Sequence, residues 1–191
     1  MQFKAKEIFT ISNSLSFFRL LLFIPLIILI REINTENNLR IIIFSIGIIA
    51  LITDLLDGYL ARKLNQITEF GKIIDPLADK FFVFGLVFGL YIVGEISPFY
   101  FWLIILRDVI IFIGGIFVSK KINYVLPSNY LGKMTVVSIG VFLSFVILNA
   151  NPESFLFNFF YYLSILLSVA SVIGYVFRAV EAIKWYKNEN I

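Results

Sequence analysis

The sequence contains no cysteine and no histidine. The first absence excludes disulfides, iron–sulfur clusters and thiol catalysis, and the second excludes an imidazole base, a phosphohistidine and the usual zinc sites. Charge is scarce as well: 15% of the 191 residues are Asp, Glu, Lys or Arg, where a soluble domain averages about a quarter. The net charge of +3 comes from 16 basic and 13 acidic residues, and the basic ones form no run or stripe, which argues against a nucleic-acid partner. What is abundant is apolar. Hydrophobic residues make up 60% of the chain and the mean hydropathy is +0.93, the composition of an integral membrane protein. Any chemistry must therefore rest on carboxylates, Lys, Arg and hydroxyls.

A bilayer core about 30 Å thick takes about 20 apolar residues per helix, and the chain divides into six such stretches, near 14–30, 40–60, 73–93, 98–118, 133–149 and 155–177. They predict an all-α membrane protein of six transmembrane helices forming one domain over 1–191. Turn chemistry marks the breaks, at Asn34 to Asn38, Gly94 to Pro98, Pro127-Ser128 before Gly132, and Asn149 to Pro152. Lys4, Lys6, Arg62, Lys63, Lys120, Lys121, Lys184 and Lys187 fall on one side, against only Arg31 and Arg40 on the other. The positive-inside rule then predicts a multi-pass protein of the cytoplasmic membrane with both termini facing the cytoplasm. Arg31 and Glu32 follow the first span where a signal peptide would carry a small-residue cleavage site, so that span is expected to be retained. Phe3 to Phe9 mixes Lys4, Lys6 and Glu7 with apolar side chains, the pattern of a short interfacial helix.

An ionisable residue inside a span is costly and marks a functional site by default. The costly residues cluster: Asp54 and Asp57 near the end of the second span, Asp75, Asp79 and Lys80 at the start of the third, Arg19 in the first, and Arg107 and Asp108 in the fourth. The i, i+3 spacing of Asp54 and Asp57 and the i, i+4 spacing of Asp75 and Asp79 put each pair on one helix face. Small residues share those faces, Gly47, Ala50, Gly58 and Ala61 on the second span and Gly71, Ala78, Gly85 and Gly89 on the third, so both faces are expected to look inward, where small side chains permit close helix approach. Pro76 between the later aspartates must lie in the first turn of its helix or free a carbonyl near the site. Four carboxylates around one cavity repel one another unless a cation joins them, and an oxygen-only set selects a hard divalent ion, Mg²⁺, Mn²⁺ or Ca²⁺. Arg62, one turn past Asp57, is placed to meet a phosphate bound to that ion. The residues predict a metal-dependent phosphate site open to the cytoplasm. Arg107-Asp108 reads equally as a structural ion pair, and Arg19 either snorkels or contacts phosphate.

The string from Asp54 to Asp79 resembles the signature of the CDP-alcohol phosphotransferase family, Asp-x2-Asp-Gly-x2-Ala-Arg-x8-Gly-x3-Asp-x3-Asp, matched at Asp54, Asp57, Gly58, Ala61, Arg62, Gly71, Asp75 and Asp79. Asn13, Ser16 and Arg19 also resemble the Asn-x2-Thr-x2-Arg opening of the bacterial phosphatidylglycerolphosphate synthases of that family. The resemblance implies a homodimer of six-helix protomers that uses Mg²⁺ or Mn²⁺ and transfers a phosphatidyl group from CDP-diacylglycerol to an acceptor hydroxyl, releasing CMP. By the same resemblance Asp54, Asp57, Asp75 and Asp79 are the metal ligands and Asp79 the base that takes the acceptor's proton. Asp54, Gly58, Ala61, Arg62 and Gly71 would bind the CDP moiety.

The acceptor site is expected at Arg107 and Lys133, with glycerol 3-phosphate as the substrate. Arg107-Asp108, Leu126-Pro127 and Tyr130 to Lys133 also resemble the cardiolipin synthases of the family, which implies phosphatidylglycerol as the alternative acceptor. A reading from another class is a cation- or proton-coupled transporter, in which membrane carboxylates relay ions. The first half of the chain, however, does not recur inverted in the second, where acids are sparse.

Overall fold

A computed structural model of the chain describes residues 10–64, 68, 70–122, 124 and 130–189, without the side chains of a few helical residues, Ala61 and Arg62 among them. The expected interfacial helix at Phe3 to Phe9 and the Leu126-Pro127 element lie outside the described residues. The described residues form six helices: α1 (Ile11–Arg31), α2 (Asn37–Lys63), α3 (Gly71–Ile92), α4 (Pro98–Ile122), α5 (Tyr130–Ile147) and α6 (Phe155–Glu189). Five are long and apolar enough to cross a membrane. The exception is α3. Its 22 residues would span about 33 Å at the α-helical rise of about 1.5 Å, but Asp75, Asp79 and Lys80 leave no uninterrupted apolar stretch of that length.

Local chemistry explains the helix ends. The Thr10 hydroxyl caps α1 by accepting from the Asn13 N–H at 3.2 Å. Thr68 Oγ1 accepts from the Gly71 N–H at 2.9 Å at the start of α3. Gly94 turns the chain after α3 with φ +80°, a conformation in which a Cβ would be strained. Ser97 and Ser154 accept the Tyr100 and Phe157 N–H groups at the starts of α4 and α6. Pro76 is the sixth residue of α3, past the first turn, so the Lys72 carbonyl has no helical N–H to accept from.

The chain divides into two compact units, one through Glu95 and one from Ile96. In the first unit α1 packs along both α2 and α3. Its inner face is polar at Ser12, Ser16 and Arg19 and apolar at Leu26 and Ile30, all of them buried. Its outer residues Leu21, Ile24 and Ile28 are 57–62% exposed, as a lipid-facing stripe requires. The small residues of α3 receive α1: the Cβ position of Gly89 faces Ile30 at 3.0 Å, and that of Gly85 is occupied by the Phe23 ring. Gly47 and Gly58 on α2 face open space. The small-residue face of α3 therefore looks inward, against α1, whereas Gly47 and Gly58 on α2 have no such neighbour among the described residues.

In the second unit α6 packs along α4 and α5. Its inner face is a polar stripe within an apolar helix: Ser164 hydrogen bonds to Tyr100 at 2.8 Å, Ser171 accepts from Arg107, and Ser168 is buried between them along the helix. An aromatic cluster of Tyr100, Phe142 and Tyr161 closes the other end of the α5–α6 contact.

Candidate functional site

Asp57 is the centre of a buried network in the first unit. It is 3% exposed, and its Oδ2 accepts from Arg19 Nη2 at 2.6 Å. Arg19 Nη1 stands 3.0 Å from Asp54 Oδ1, nearly one turn earlier on α2. Ser16 Oγ, one turn before Arg19 on α1, donates to Asp75 Oδ1 on α3 at 2.5 Å and lies 3.3 Å from Asp57 Oδ2. A hydroxyl has one proton, and the shorter contact claims it. Ser12 Oγ donates to the Asp57 backbone carbonyl at 3.1 Å. Three residues of α1 thus reach the aspartates of both neighbouring helices, because the i, i+4, i+7 spacing of Ser12, Ser16 and Arg19 lines one face.

Arg19 is 1% exposed. Burying a guanidinium is costly unless carboxylates neutralise it, and here two do so directly. The side chain expected to snorkel or to contact phosphate is enclosed here and paired with Asp54 and Asp57. With Asp75 joined through Ser16, the network holds three carboxylates and one guanidinium, two of the carboxylates paired with it directly. Nε and Nη1 of Arg19 are buried and make no hydrogen bond among the described residues.

The four-carboxylate cluster expected from Asp54, Asp57, Asp75 and Asp79 is looser than its spacing implied. Among the described residues no three acidic side chains stand close enough to share an ion. Arg19 and Ser16 link the carboxylates instead, and Asp79, one turn beyond Asp75, is exposed. The donor set nevertheless suits a hard cation, being oxygen throughout. Asp54 Oδ2, Asp57 Oδ1 and Asp75 Oδ2 accept no hydrogen bond among the described residues, which leaves one oxygen of each carboxylate for a ligand.

Of the residues expected at the nucleotide, Gly58 adjoins Asp57 and leaves open space where a Cβ would stand, so a ligand can approach the helix backbone there. Gly71 is buried, and its Cβ position is taken by Asn13 Oδ1 at 2.7 Å and Thr68 Oγ1 at 3.0 Å. Its lack of a side chain answers helix packing. Ala61 and Arg62 lie in the last turn of α2, with side chains outside the described residues.

In the second unit Arg107 forms an ion pair with Asp108, donates from Nε to Ser171 Oγ at 3.2 Å and reaches the Gly132 carbonyl at 3.5 Å. It therefore stands beside the first turn of α5, where Lys133 is exposed. Sequence reading missed a second polar junction, at the other end of the first unit. Arg40 Nη2 lies 2.6 Å from Glu95 Oε1 and 2.7 Å from Asn34 Oδ1, with Nη1 at 3.3 Å from Glu95 Oε2. The one signal for it was a charged residue opening each apolar flank.

The sequence model of the CDP-alcohol phosphatidyltransferase family matches residues 9–176. A protein of Aquifex aeolicus named CDP-diacylglycerol–glycerol-3-phosphate 3-phosphatidyltransferase is 36% identical over 179 residues, covering 91% of this chain and 97% of its own. A protein of the same name from Mycoplasma genitalium is 30% identical over 210 residues, covering 94% and 87%. A probable phosphatidylglycerophosphate synthase of Mycobacterium tuberculosis is 31% identical over 148 residues, covering 75% and 68%. These matches do not favour the transporter reading.

Proposed function

Since the chain belongs to the CDP-alcohol phosphatidyltransferase family, we propose that it transfers the phosphatidyl group of CDP-diacylglycerol to glycerol 3-phosphate, forming phosphatidylglycerophosphate and releasing CMP. The observation that carries this reading is the junction of Asp54, Asp57 and Asp75 through Arg19 and Ser16, in a chain whose relatives are named for that reaction.

In this reading Asp54, Asp57, Asp75 and Asp79 would hold Mg²⁺ or Mn²⁺, which would supply Lewis-acid withdrawal of charge from a bound diphosphate. Gly58 admits the nucleotide to the helix backbone, and Arg62 and Ala61 complete the CDP site. Asp79 takes the proton of the acceptor hydroxyl as its oxygen bonds to the phosphatidyl phosphorus. The bond from that phosphorus to the bridging oxygen breaks, and CMP leaves with the electron pair. With neither Cys nor His in the chain, direct attack is favoured over a covalent enzyme intermediate. Arg107 and Lys133 bind the phosphate of the acceptor.

The reading includes a homodimer in the cytoplasmic membrane with both termini and the site on the cytoplasmic side, the orientation being supported by the distribution of Lys and Arg. A cysteine-free chain makes single-cysteine labelling a clean test of orientation, and cross-linking of the purified protein tests the dimer. The deciding experiment is release of CMP from CDP-diacylglycerol by purified protein, given glycerol 3-phosphate or phosphatidylglycerol in parallel. Turnover with glycerol 3-phosphate supports the proposal. Turnover with phosphatidylglycerol alone makes it a cardiolipin synthase.

A further inference from the structure

Arg107 is held by three helices. Its Nη1 donates to Asp108 on α4 itself, its Nε donates to Ser171 Oγ on α6 at 3.2 Å, and its Nη2 reaches the Gly132 carbonyl on α5 at 3.5 Å. Ser171 is 1% exposed, and its own proton goes to the Ser168 carbonyl at 2.8 Å. With that proton engaged, Ser171 can only accept from Arg107, and a guanidinium can only donate. The bond commits the single N–H of Nε, whereas Nη1 and Nη2 carry two each and use one each among the described residues. From this geometry we propose that Ser171 is a positioning residue for the acceptor: it fixes the rotation of the Arg107 guanidinium so that the remaining N–H groups of Nη1 and Nη2 are offered to the phosphate of glycerol 3-phosphate. The inference rests on the acceptor reading of Arg107 and Lys133 above, and it adds a residue of α6 that lies 64 positions from Arg107 and outside the family motif.

Three features of the structure support it. The burial of Ser171 keeps its hydroxyl from touching an acceptor while it bonds Arg107, so its influence passes through the guanidinium. Its neighbours on the α6 stripe do not share the role: Ser164 is bonded to Tyr100, and the buried Ser168 Oγ has no partner among the described residues. Finally, a flat guanidinium grips phosphate through two parallel N–H bonds, and that fit depends on the orientation of its plane. Asp108 is a charged partner whose loss unbalances the pair, and Gly132 contributes only backbone. Ser171 is therefore the anchor that a substitution removes without changing charge.

The test measures steady-state kinetics of the full-length protein in detergent with CDP-diacylglycerol and glycerol 3-phosphate, with melting temperature followed alongside. Wild type is compared with Ser171→Ala, Ser168→Ala and Lys133→Met. The expected result is a KM for glycerol 3-phosphate raised about tenfold in Ser171→Ala, with kcat and the KM for CDP-diacylglycerol nearly unchanged. Ser168→Ala removes a buried hydroxyl of the same face without touching Arg107 and should keep the wild-type KM. An equal rise in Ser168→Ala means that any loss of polarity along α6 has this effect, and overturns the inference. A Ser171→Ala variant that lowers kcat and raises both KM values in step with a lower melting temperature means that Ser171 only supports helix packing, and also overturns it. If Ser171→Ala does not fold, Ser171→Cys, similar in size but only a weak acceptor, decides by the same criterion. An unchanged KM for glycerol 3-phosphate in Ser171→Ala while Lys133→Met raises it removes the inference alone. An unchanged KM in both variants, or wild-type turnover with phosphatidylglycerol alone, removes the acceptor reading and this inference together.

Discussion

Asn13 Oδ1 stands 2.7 Å from the point where a Cβ on Gly71 would lie. Asn13 is 1% exposed and its amide donates to the half-buried Thr68 Oγ1 at 3.4 Å, so turning away loses that partner. A glycine of the family motif is thus explained by a side chain 58 positions earlier, on α1.

Gly71→Ala should therefore destabilise the protein although alanine favours helix. Forcing one extra carbon into a filled site costs about 1–3 kcal/mol, which for a chain of this size lowers the melting temperature by about 2–10 °C. Gly58→Ala, with open space at the same point, should leave the melting temperature nearly unchanged and weaken use of CDP-diacylglycerol instead. Thermal unfolding and steady-state kinetics on the two variants separate packing from ligand approach.

The Arg40–Glu95 pair is 8% and 14% exposed in its side chains and joins the start of α2 to the segment after α3, with Asn34 as a further acceptor. Glu95→Gln leaves a buried guanidinium without its counter-charge and should cost about 3–5 kcal/mol. Arg40→Met combined with Glu95→Met removes both charges and should recover much of that loss, because no uncompensated ion remains. Melting temperatures of Arg40→Met, Glu95→Met and the double form the cycle that measures it.

Metal removal should abolish phosphatidyl transfer. A chelator is expected to stop CMP release, Mg²⁺ or Mn²⁺ to restore it, and monovalent salt to leave it absent, since an oxygen-only donor set favours hard divalent ions. Full turnover in a metal-free preparation contradicts the proposed site.

The aspartates should divide in function. Asp79 is exposed while Asp57 is enclosed by Arg19 and Ser16. Asp79→Asn is expected to lower kcat by about 10²–10⁴-fold, the usual contribution of a general base, while sparing much of CDP-diacylglycerol binding. Asp57→Asn should weaken metal and nucleotide binding together. Equal loss of binding in both variants would remove the base assignment from Asp79.

Lys133→Met should raise the KM for glycerol 3-phosphate and leave that for CDP-diacylglycerol nearly unchanged. A charge-assisted bond to a phosphate is worth about 1.5–3 kcal/mol, or roughly ten- to a hundredfold in affinity. Arg107 is the less informative target, because its bonds to Asp108 and Ser171 make its loss structural as well.

The amino-acid sequence by itself determined the medium, the helices and the class of chemistry. Hydropathy and helical spacing are properties of neighbours along the chain, so the six helices, the pairing of Asp54 with Asp57, and the oxygen-only ligand set could be read from residues a few positions apart. The family motif is likewise a local string from Asp54 to Asp79. What lies between helices was decided only by tertiary packing. Arg19 and Asp57 are 38 residues apart, Arg40 and Glu95 55, and Ser16 and Asp75 59, and no periodicity within one helix says which neighbour its face will meet. The small face of α3 could be read as one that a neighbour approaches closely, but only the fold makes that neighbour α1, whose Phe23 and Ile30 fill its glycine grooves. The same insertion of α1 turns a spacing of four acids into a network held by a serine and a buried arginine, because charges forced together in an apolar interior are stable only with a partner that the fold supplies.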